Sequence, residues 1–310
     1  MVGPVIAITL GDGAGIGPEI VEEFFTHKKH QDFYPLIIGP SVLLPGLIRH
    51  PVQFTLIEEP AWNKLAKKIT PGKPNGYSGE LSFRILQKAT ELTAAKYARA
   101  LVTLPIAKYA WRAAKIKYNG HTEFFADYFH CRPTMLMANK KMLLALSTVH
   151  LALKEVSKKI TVDQISRTIT TTTEFLKKYC QIPRPKILVF ALNPHAGEKG
   201  LLGKDEEKIA SAIKSLDRKY RIFGPVAADA AALALLKKRY DAGIVMYHDQ
   251  ALIALKISSP ETTVNITAGL PIIRTAPGHG TATDIVGKQP ADLRPFQSAL
   301  VWANKLCRRQ

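Results

Sequence analysis

Short apolar runs alternate along this chain with longer amphipathic stretches. The runs VIAITL, PLIIGP, VQFTLIEE, RALVTLP, KMLLALST, KILVFALN, DAGIVMYHD and TVNITAG read as strands. LSFRILQKATELTAAKYA carries Leu81, Ile85, Leu86, Ala89 and Leu92 at helical spacing, and KDEEKIASAIKSLDRKY and ADAAALALLKKRY read the same way. Strands that alternate with helices predict an α/β fold with a mainly parallel sheet covered by helices. ITPGKPNGYSGE, residues 69–80, reads as a loop, and no internal repeat or low-complexity tract is present. In such sheets ligands gather at the carboxyl ends of the strands. The polar residues at strand exits are therefore where chemistry is sought.

The first exit is LGDGAGIGPEI, residues 10–20. It is dense in glycine, but the G-x-G-x-x-G frames that start at Gly11 and Gly13 fail, because Ile16 and Pro18 stand at their last positions. The next apolar run ends in Gly39 and Pro40 rather than an acidic residue. What remains is a tight turn into a helix opened by Pro18, whose free N–H groups suit an anion. A plain strand-to-helix turn explains it equally well.

Three histidines follow apolar strands: His150, His195 and His248. Any one of them is readily a hydrogen-bonded structural residue. Together they suit a divalent ion with one position open to substrate. Asp249 and Glu198 lie beside two of them, as acceptors for the imidazole N–H or as ordinary loop polarity. Asp229 reads as a helix N-cap. His121 and Thr122 open a helix after Gly120, where Thr122 either caps the helix or meets an anion. Lys256 and Arg274 suit phosphate or carboxylate, and Asn265 needs a partner in its apolar run. RTAPGHGTATDIVG, residues 274–287, is rich enough in glycine and small residues for a nucleotide to approach its backbone.

Composition narrows the field. The chain has 310 residues, enough for two domains, with 46% hydrophobic content. Cys131, Cys180 and Cys307 are too few and too scattered for a disulfide framework, which fits a reducing compartment and a cytoplasmic location. The start MVGPVIAITL lacks a basic n-region, and MLLALSTVHLAL is too short to span a bilayer. The net charge of +18 favours an anionic partner. Its lysine doublets, from Lys28–Lys29 to Lys237–Lys238, are spread along the chain without aromatic platforms. That argues for a solvated basic surface rather than a nucleic-acid face.

In order, LGDGAGIGPEI, GHTEFFAD, LNPHAGE, MYHDQ, VNITAGLPIIRT and HGTATDIVG resemble the 4-hydroxythreonine-4-phosphate dehydrogenase family of vitamin B6 biosynthesis. The resemblance implies a two-domain α/β fold of the isocitrate and isopropylmalate dehydrogenase type, with a mainly parallel sheet and a central cleft. Residues 1–117 plus 275–310 would form the cofactor side. Residues 118–274 would carry metal, substrate and dimer contacts. It implies a homodimer whose divalent metal (zinc, magnesium or cobalt) is held by His150, His195 and His248 drawn from both subunits. Substrate contacts would fall on His121, Thr122, Lys256, Asn265 and Arg274, and NAD or NADP would meet His279 and Asp284.

The implied reaction oxidises and decarboxylates 4-phosphohydroxy-L-threonine to 3-amino-2-oxopropyl phosphate. No residue is assigned as the base. The departures are Leu104 at a position usually small, Gly278 where the family has Asp, Ala251 after HDQ, and the segment GKQPADLRPF. They leave open a D-threonate or D-erythronate 4-phosphate dehydrogenase, or a homologue that binds a phosphometabolite without turning it over.

Overall fold

The computed structural model describes residues 3–27, 32–49 and 53–309. Eleven strands occur among them: β1 (Val5–Thr9), β2 (Tyr34–Ile38), β3 (Thr55–Ile57), β4 (Ala100–Thr103), β5 (Thr134–Ala138), β6 (Leu143–Leu146), β7 (Lys186–Phe190), β8 (Arg221–Val226), β9 (Ala242–Val245), β10 (Val264–Ala268) and β11 (Ile273–Pro277). Contacts divide the chain into two compact units, Met1–Cys131 with Leu270–Arg308, and Arg132–Gly269 with Arg309–Gln310. His121, Thr122 and Arg274 fall in the first.

The first unit orders its strands β3-β2-β1-β4-β11, all parallel. Ile6 pairs with Pro35 on one side and Ala100 on the other. Its strands are almost continuously apolar because helices cover both faces. The helices Gly76–Ala94 and Arg294–Cys307 pack on β4. The helix Lys108–Ala113 lies close on Gly76–Ala94, since a Cβ on Gly79 would stand 2.2 Å from the Ala110 carbonyl oxygen. Trp111 is buried there and donates its Nε1–H to Ser82 Oγ at 2.9 Å.

The second unit orders its strands β10-β5-β6-β9-β7-β8. β10–β5 and β5–β6 are antiparallel; the remaining pairs are parallel. Asn139 Oδ1 closes the β5–β6 turn by accepting from Lys141 and Met142 N–H at 2.8 and 3.0 Å. The helix Val162–Cys180 packs on β5, β6, β9 and β10. Its buried Thr168, Thr172 and Thr173 return their hydroxyls to carbonyls four residues back, which lets polar residues sit on an apolar face.

The α/β reading holds, and each of the eight expected runs contains a strand. Three strands escape the pattern. β5 is TMLMA, whose methionines suit a helix as well as a strand. β8 is a partly exposed edge strand carrying Gly224 and Pro225. β11 covers the start of the glycine-rich stretch 274–287, which is not among the expected strands. The expected loop 69–80 is shorter than its composition suggests. Asn75 accepts from Tyr77 and Ser78 N–H at 2.9 and 3.1 Å and starts a helix at Gly76. Asp229 is not an N-cap: it lies inside the first turn of the helix Ala228–Leu236, whose N-cap is Ala227. The Lys28–Lys29 doublet lies outside the described residues.

Candidate active site

In the first unit, the glycine-dense turn after β1 receives protein backbone. Gly11 has φ +69°, and a Cβ there would stand 2.3 Å from the Pro105 carbonyl oxygen. A Cβ on Gly15 would stand 2.7 Å from the Thr281 carbonyl oxygen, which accepts the Ile16 N–H at 3.0 Å. Farther along the same loop, Gly287 N–H donates to Glu19 Oε1 at 3.0 Å. The small residues at 11–17 therefore seat the HGTATDIVG loop.

Asp12 ties this turn to its neighbours. It is 1% exposed and accepts from Ala14 N–H at 2.9 Å and Ser78 Oγ at 3.1 Å. Burial raises its pKa, against the opposing pull of bonds from Ala14, Ser78 and Ala107. Leu104, expected to alter the space for substrate, is 0% exposed. Its Cβ lies 3.6 Å from where a Cβ on Gly17 would stand, so it fills the core under the turn.

The buried cation of this unit lies near the start of β11, beside the end of β4. Arg274 is 4% exposed, and its Nε and one terminal nitrogen donate to Thr103 Oγ1 at 3.0 and 2.6 Å. Its guanidinium carbon lies 5.7 Å from the centre of the Phe125 ring. Burial pushes its pKa down to about 9, so it remains charged at neutral pH.

His121 stacks on Phe125 at 6.4 Å and meets Trp111 edge-on at 5.8 Å. Burial first, then the charges of Arg274 and Lys108, hold its pKa well below the usual histidine value. Lys108 Cε lies 3.7 Å from the Cβ position of Gly120. The helix His121–Tyr128 has Gly120 as N-cap and no side-chain cap, so Thr122 does not cap it. The result is a neutral imidazole, two cations and uncapped N–H groups against aromatic walls, an arrangement that suits an anion.

His279 and Asp284 lie on the seated loop. The His279 Nδ1–H donates to the Gly280 carbonyl at 2.8 Å, which leaves Nε2 as a buried acceptor without a partner among the described residues. Burial lowers its pKa. Asp284 is exposed, and its carbonyl accepts from Lys288 Nζ at 2.8 Å.

In the second unit, the exits of β6 and β9 bring the rings of His150 and His248 to 5.6 Å between centroids. His248 Nδ1 lies 2.7 Å from Asp249 Oδ1, the acceptor role rather than plain loop polarity, and this bond turns Nε2 away from Asp249. Gln250 braces the turn by accepting from Met246 N–H and donating to the Ala191 carbonyl, both at 2.8 Å. Lys256 is exposed in the last turn of the helix His248–Ser258. Asn265 is half-buried in β10, paired in register with Met137.

His195 is exposed on the turn after β7. From His195 to Lys199 the backbone is left-handed, with φ of 51°, 53°, 76°, 44° and 54°. Four of these residues are not glycine, a cost on the order of 4–8 kcal/mol at 1–2 per residue. Among the described residues the Glu198 side chain makes no bond to His195, and no three His, Cys, Asp or Glu side chains gather as a metal cluster within the chain. The sequence reading overlooked Asp12, Thr103, Gln250 and Glu206. Each acts by reaching an element distant in sequence or a backbone group, and no local spacing announces that.

Residues 35–303 match the family model of the pyridoxal phosphate biosynthetic protein PdxA. A 4-hydroxythreonine-4-phosphate dehydrogenase of Zymomonas mobilis is 36% identical, over 96% of this chain and 94% of its own. A D-threonate 4-phosphate dehydrogenase of Cupriavidus necator is 34% identical, over 99% and 98%. The crystal structure of a 4-hydroxythreonine-4-phosphate dehydrogenase from Klebsiella pneumoniae superposes with a TM-score of 0.86 at 30% identity, covering 98% of each chain. With a family match across most of its length and full-length relatives above 30% identity, the chain belongs to the PdxA family of pyridoxal phosphate biosynthetic proteins.

Proposed function

We propose that this protein is the nicotinamide-linked dehydrogenase that oxidises and decarboxylates 4-phosphohydroxy-L-threonine to 3-amino-2-oxopropyl phosphate. The observation that carries the reading is the anion cradle of Arg274, His121 and Lys108. A buried arginine, lying over Phe125 and bonded to Thr103, holds a fixed positive charge of the kind that suits phosphate or carboxylate. Thr122, Lys256 and Asn265 join His121 and Arg274 as the substrate-binding set. His121 enters neutral. An arriving anion would offset the charges of Arg274 and Lys108 and let the imidazole take up a proton on the substrate's behalf.

The first unit is proposed as the cofactor side. His279 Nε2 is a buried acceptor beside a glycine-lined loop, which fits a hydroxyl-bearing ligand such as a nucleotide ribose. Asp284 is the second cofactor candidate. NAD or NADP bound there would accept the hydride from the carbon being oxidised.

The second unit is proposed as the metal side. His150 and His248 fit a divalent ion such as zinc, magnesium or cobalt: they are close together, and the Asp249 carboxylate orients one ring. His195 is the third proposed ligand, and a homodimer would supply the set from two copies. Exposed aliphatic side chains on this unit, Leu153, Leu201, Ile253 and Ile257, support a surface that a second copy covers. The ion would supply Lewis acidity at the oxygen being oxidised and during loss of carbon dioxide.

No helix among the described residues is long and apolar enough to cross a membrane, and a cytoplasmic enzyme acting on a phosphorylated metabolite is the reading proposed. A second reading follows from the Cupriavidus necator relative: a threonate 4-phosphate, with a hydroxyl in place of the amine. The test is NADH or NADPH formation from each phosphorylated acid, with and without a chelator. Chelator-sensitive turnover of the amino acid supports the first reading. Turnover of threonate 4-phosphate alone supports the second. No turnover of either, with divalent metal and both cofactors present, refutes both.

A further inference from the structure

The segment that carries His195 folds in a way its own residues resist. His195, Ala196, Glu198 and Lys199 all lie in the left-handed region, and only Gly197 is suited to it. Within the segment, Leu201 and Leu202 N–H return to the carbonyls of Glu198 and Gly197 at 3.2 and 3.1 Å. The start of the turn is held from outside. Glu206, in the first turn of the helix Asp205–Leu216, reaches back so that Oε1 accepts the N–H groups of Leu192 and Asn193 at 3.1 and 2.8 Å. Its Oε2 accepts Asn193 Nδ2 at 3.0 Å. Asp205 takes the same Asn193 nitrogen at 3.3 Å and is itself held by Ser157 Oγ at 2.7 Å.

The crest of the turn closes on the same carboxylate. A Cβ on Gly197 would stand 2.6 Å from Glu206 Oε2, and one on Gly203 would stand 2.5 Å from Asn193 Nδ2. Gly197 lets the backbone close on the acid, and Gly203 lets it close on the Asn193 amide that the acid holds.

We propose that Glu206 is a positioning residue: it anchors the start and crest of the turn after β7 and thereby sets where the His195 imidazole stands for metal capture. The metal half of this inference rests on the reading of His195 as a ligand. Glu206 does not itself touch the substrate in this scheme. Its carboxylate replaces the water that would otherwise solvate the Leu192 and Asn193 N–H groups, and so pays part of the cost of the left-handed turn.

The test uses the full-length protein as wild type, Glu206→Ala, Glu206→Asp and His195→Ala. Cobalt(II) is titrated against the visible absorption band of the bound ion, and hydrogen exchange is followed at the Leu192 and Asn193 amides. Glu206→Ala is expected to weaken cobalt binding about 10- to 100-fold, the range for residues that orient metal ligands. It is also expected to speed exchange of both amides by roughly tenfold or more. Glu206→Asp withdraws the carboxylate by one methylene and is expected to shift both readouts in the same direction. It carries the test if the alanine variant does not fold. Cobalt binding at wild-type strength in both Glu206 variants, when His195→Ala has lost it, overturns the proposal and leaves the metal reading intact. Wild-type cobalt binding that His195→Ala does not weaken removes His195 as a ligand, and with it the metal half of the inference. Amides that stay protected in the Glu206 variants overturn the anchoring.

Discussion

Arg274→Lys tests the anion cradle most directly. The substitution keeps the positive charge and removes the planar fork. In the native site two guanidinium nitrogens converge on Thr103 Oγ1, at 3.0 and 2.6 Å, and the Phe125 ring lies 5.7 Å from the guanidinium carbon. These contacts fix the plane and position of the charged group. A lysine ammonium cannot reproduce both Thr103 bonds in that plane, so in the proposed cradle at least one charged hydrogen bond is expected to be lost. Such a bond is worth about 1.5–3 kcal/mol. At about 1.36 kcal/mol per decade, kcat/KM is expected to fall roughly 10- to 150-fold. The assay is the initial rate of reduced nicotinamide formation across substrate concentrations. Circular dichroism confirms the fold, and the KM for the nicotinamide cofactor is expected to stay at the wild-type value. A folded Arg274→Lys enzyme with kcat/KM within about twofold of wild type would refute the fork argument, since that change is well below one charged bond. A matching rise in the cofactor KM would instead move Arg274 out of the substrate set.

Three further outcomes are expected. His121 and His279 both have pKa values lowered by burial, so below about pH 6.5 the unfolded chain binds protons that the folded chain resists. Stability should therefore fall as pH drops from about 7 to 5.5, His121 contributing a slope of at most about 1.36 kcal/mol per unit and His279 adding in the same direction. Urea midpoints at the two pH values measure it, and a flat profile sinks the assignment. Gly15→Val places a side chain against the Thr281 carbonyl, 2.7 Å from the Cβ position, and should raise the cofactor KM about tenfold while the substrate KM holds. Equal rises in both would show that the turn serves the whole site rather than the loop. Ile257→Asp puts a charge on a side chain that is 82% exposed in the single chain. If a second copy covers it, light scattering should show a concentration-dependent shift toward monomer, and an unchanged dimer would place the interface elsewhere.

Much of this protein is written in local patterns. Runs such as VIAIT and LLAL are apolar because they pass through the middle of a covered sheet, and that requirement shows without a structure. The positions of His150, His195 and His248 at strand ends follow from those runs. Where local patterns failed, the cause is physical. TMLMA becomes a strand only because β6 and β10 supply partners on either side. The glycines of LGDGAGIG signal closeness but not the identity of the neighbour, and the neighbour proved to be the carbonyl of Thr281, far along the chain.

The amino-acid sequence by itself determined the α/β class and the residue types that stand near the strand ends. Tertiary structure alone decided that Arg274 is buried against Thr103 and Phe125, that His121 stays neutral, and that Leu104 belongs to the core. It also decided that Glu206 reaches back to the turn bearing His195. Period and composition report the environment averaged along an element. A pKa, a fork or a left-handed turn depends on particular atoms that folding brings together from distant parts of the chain.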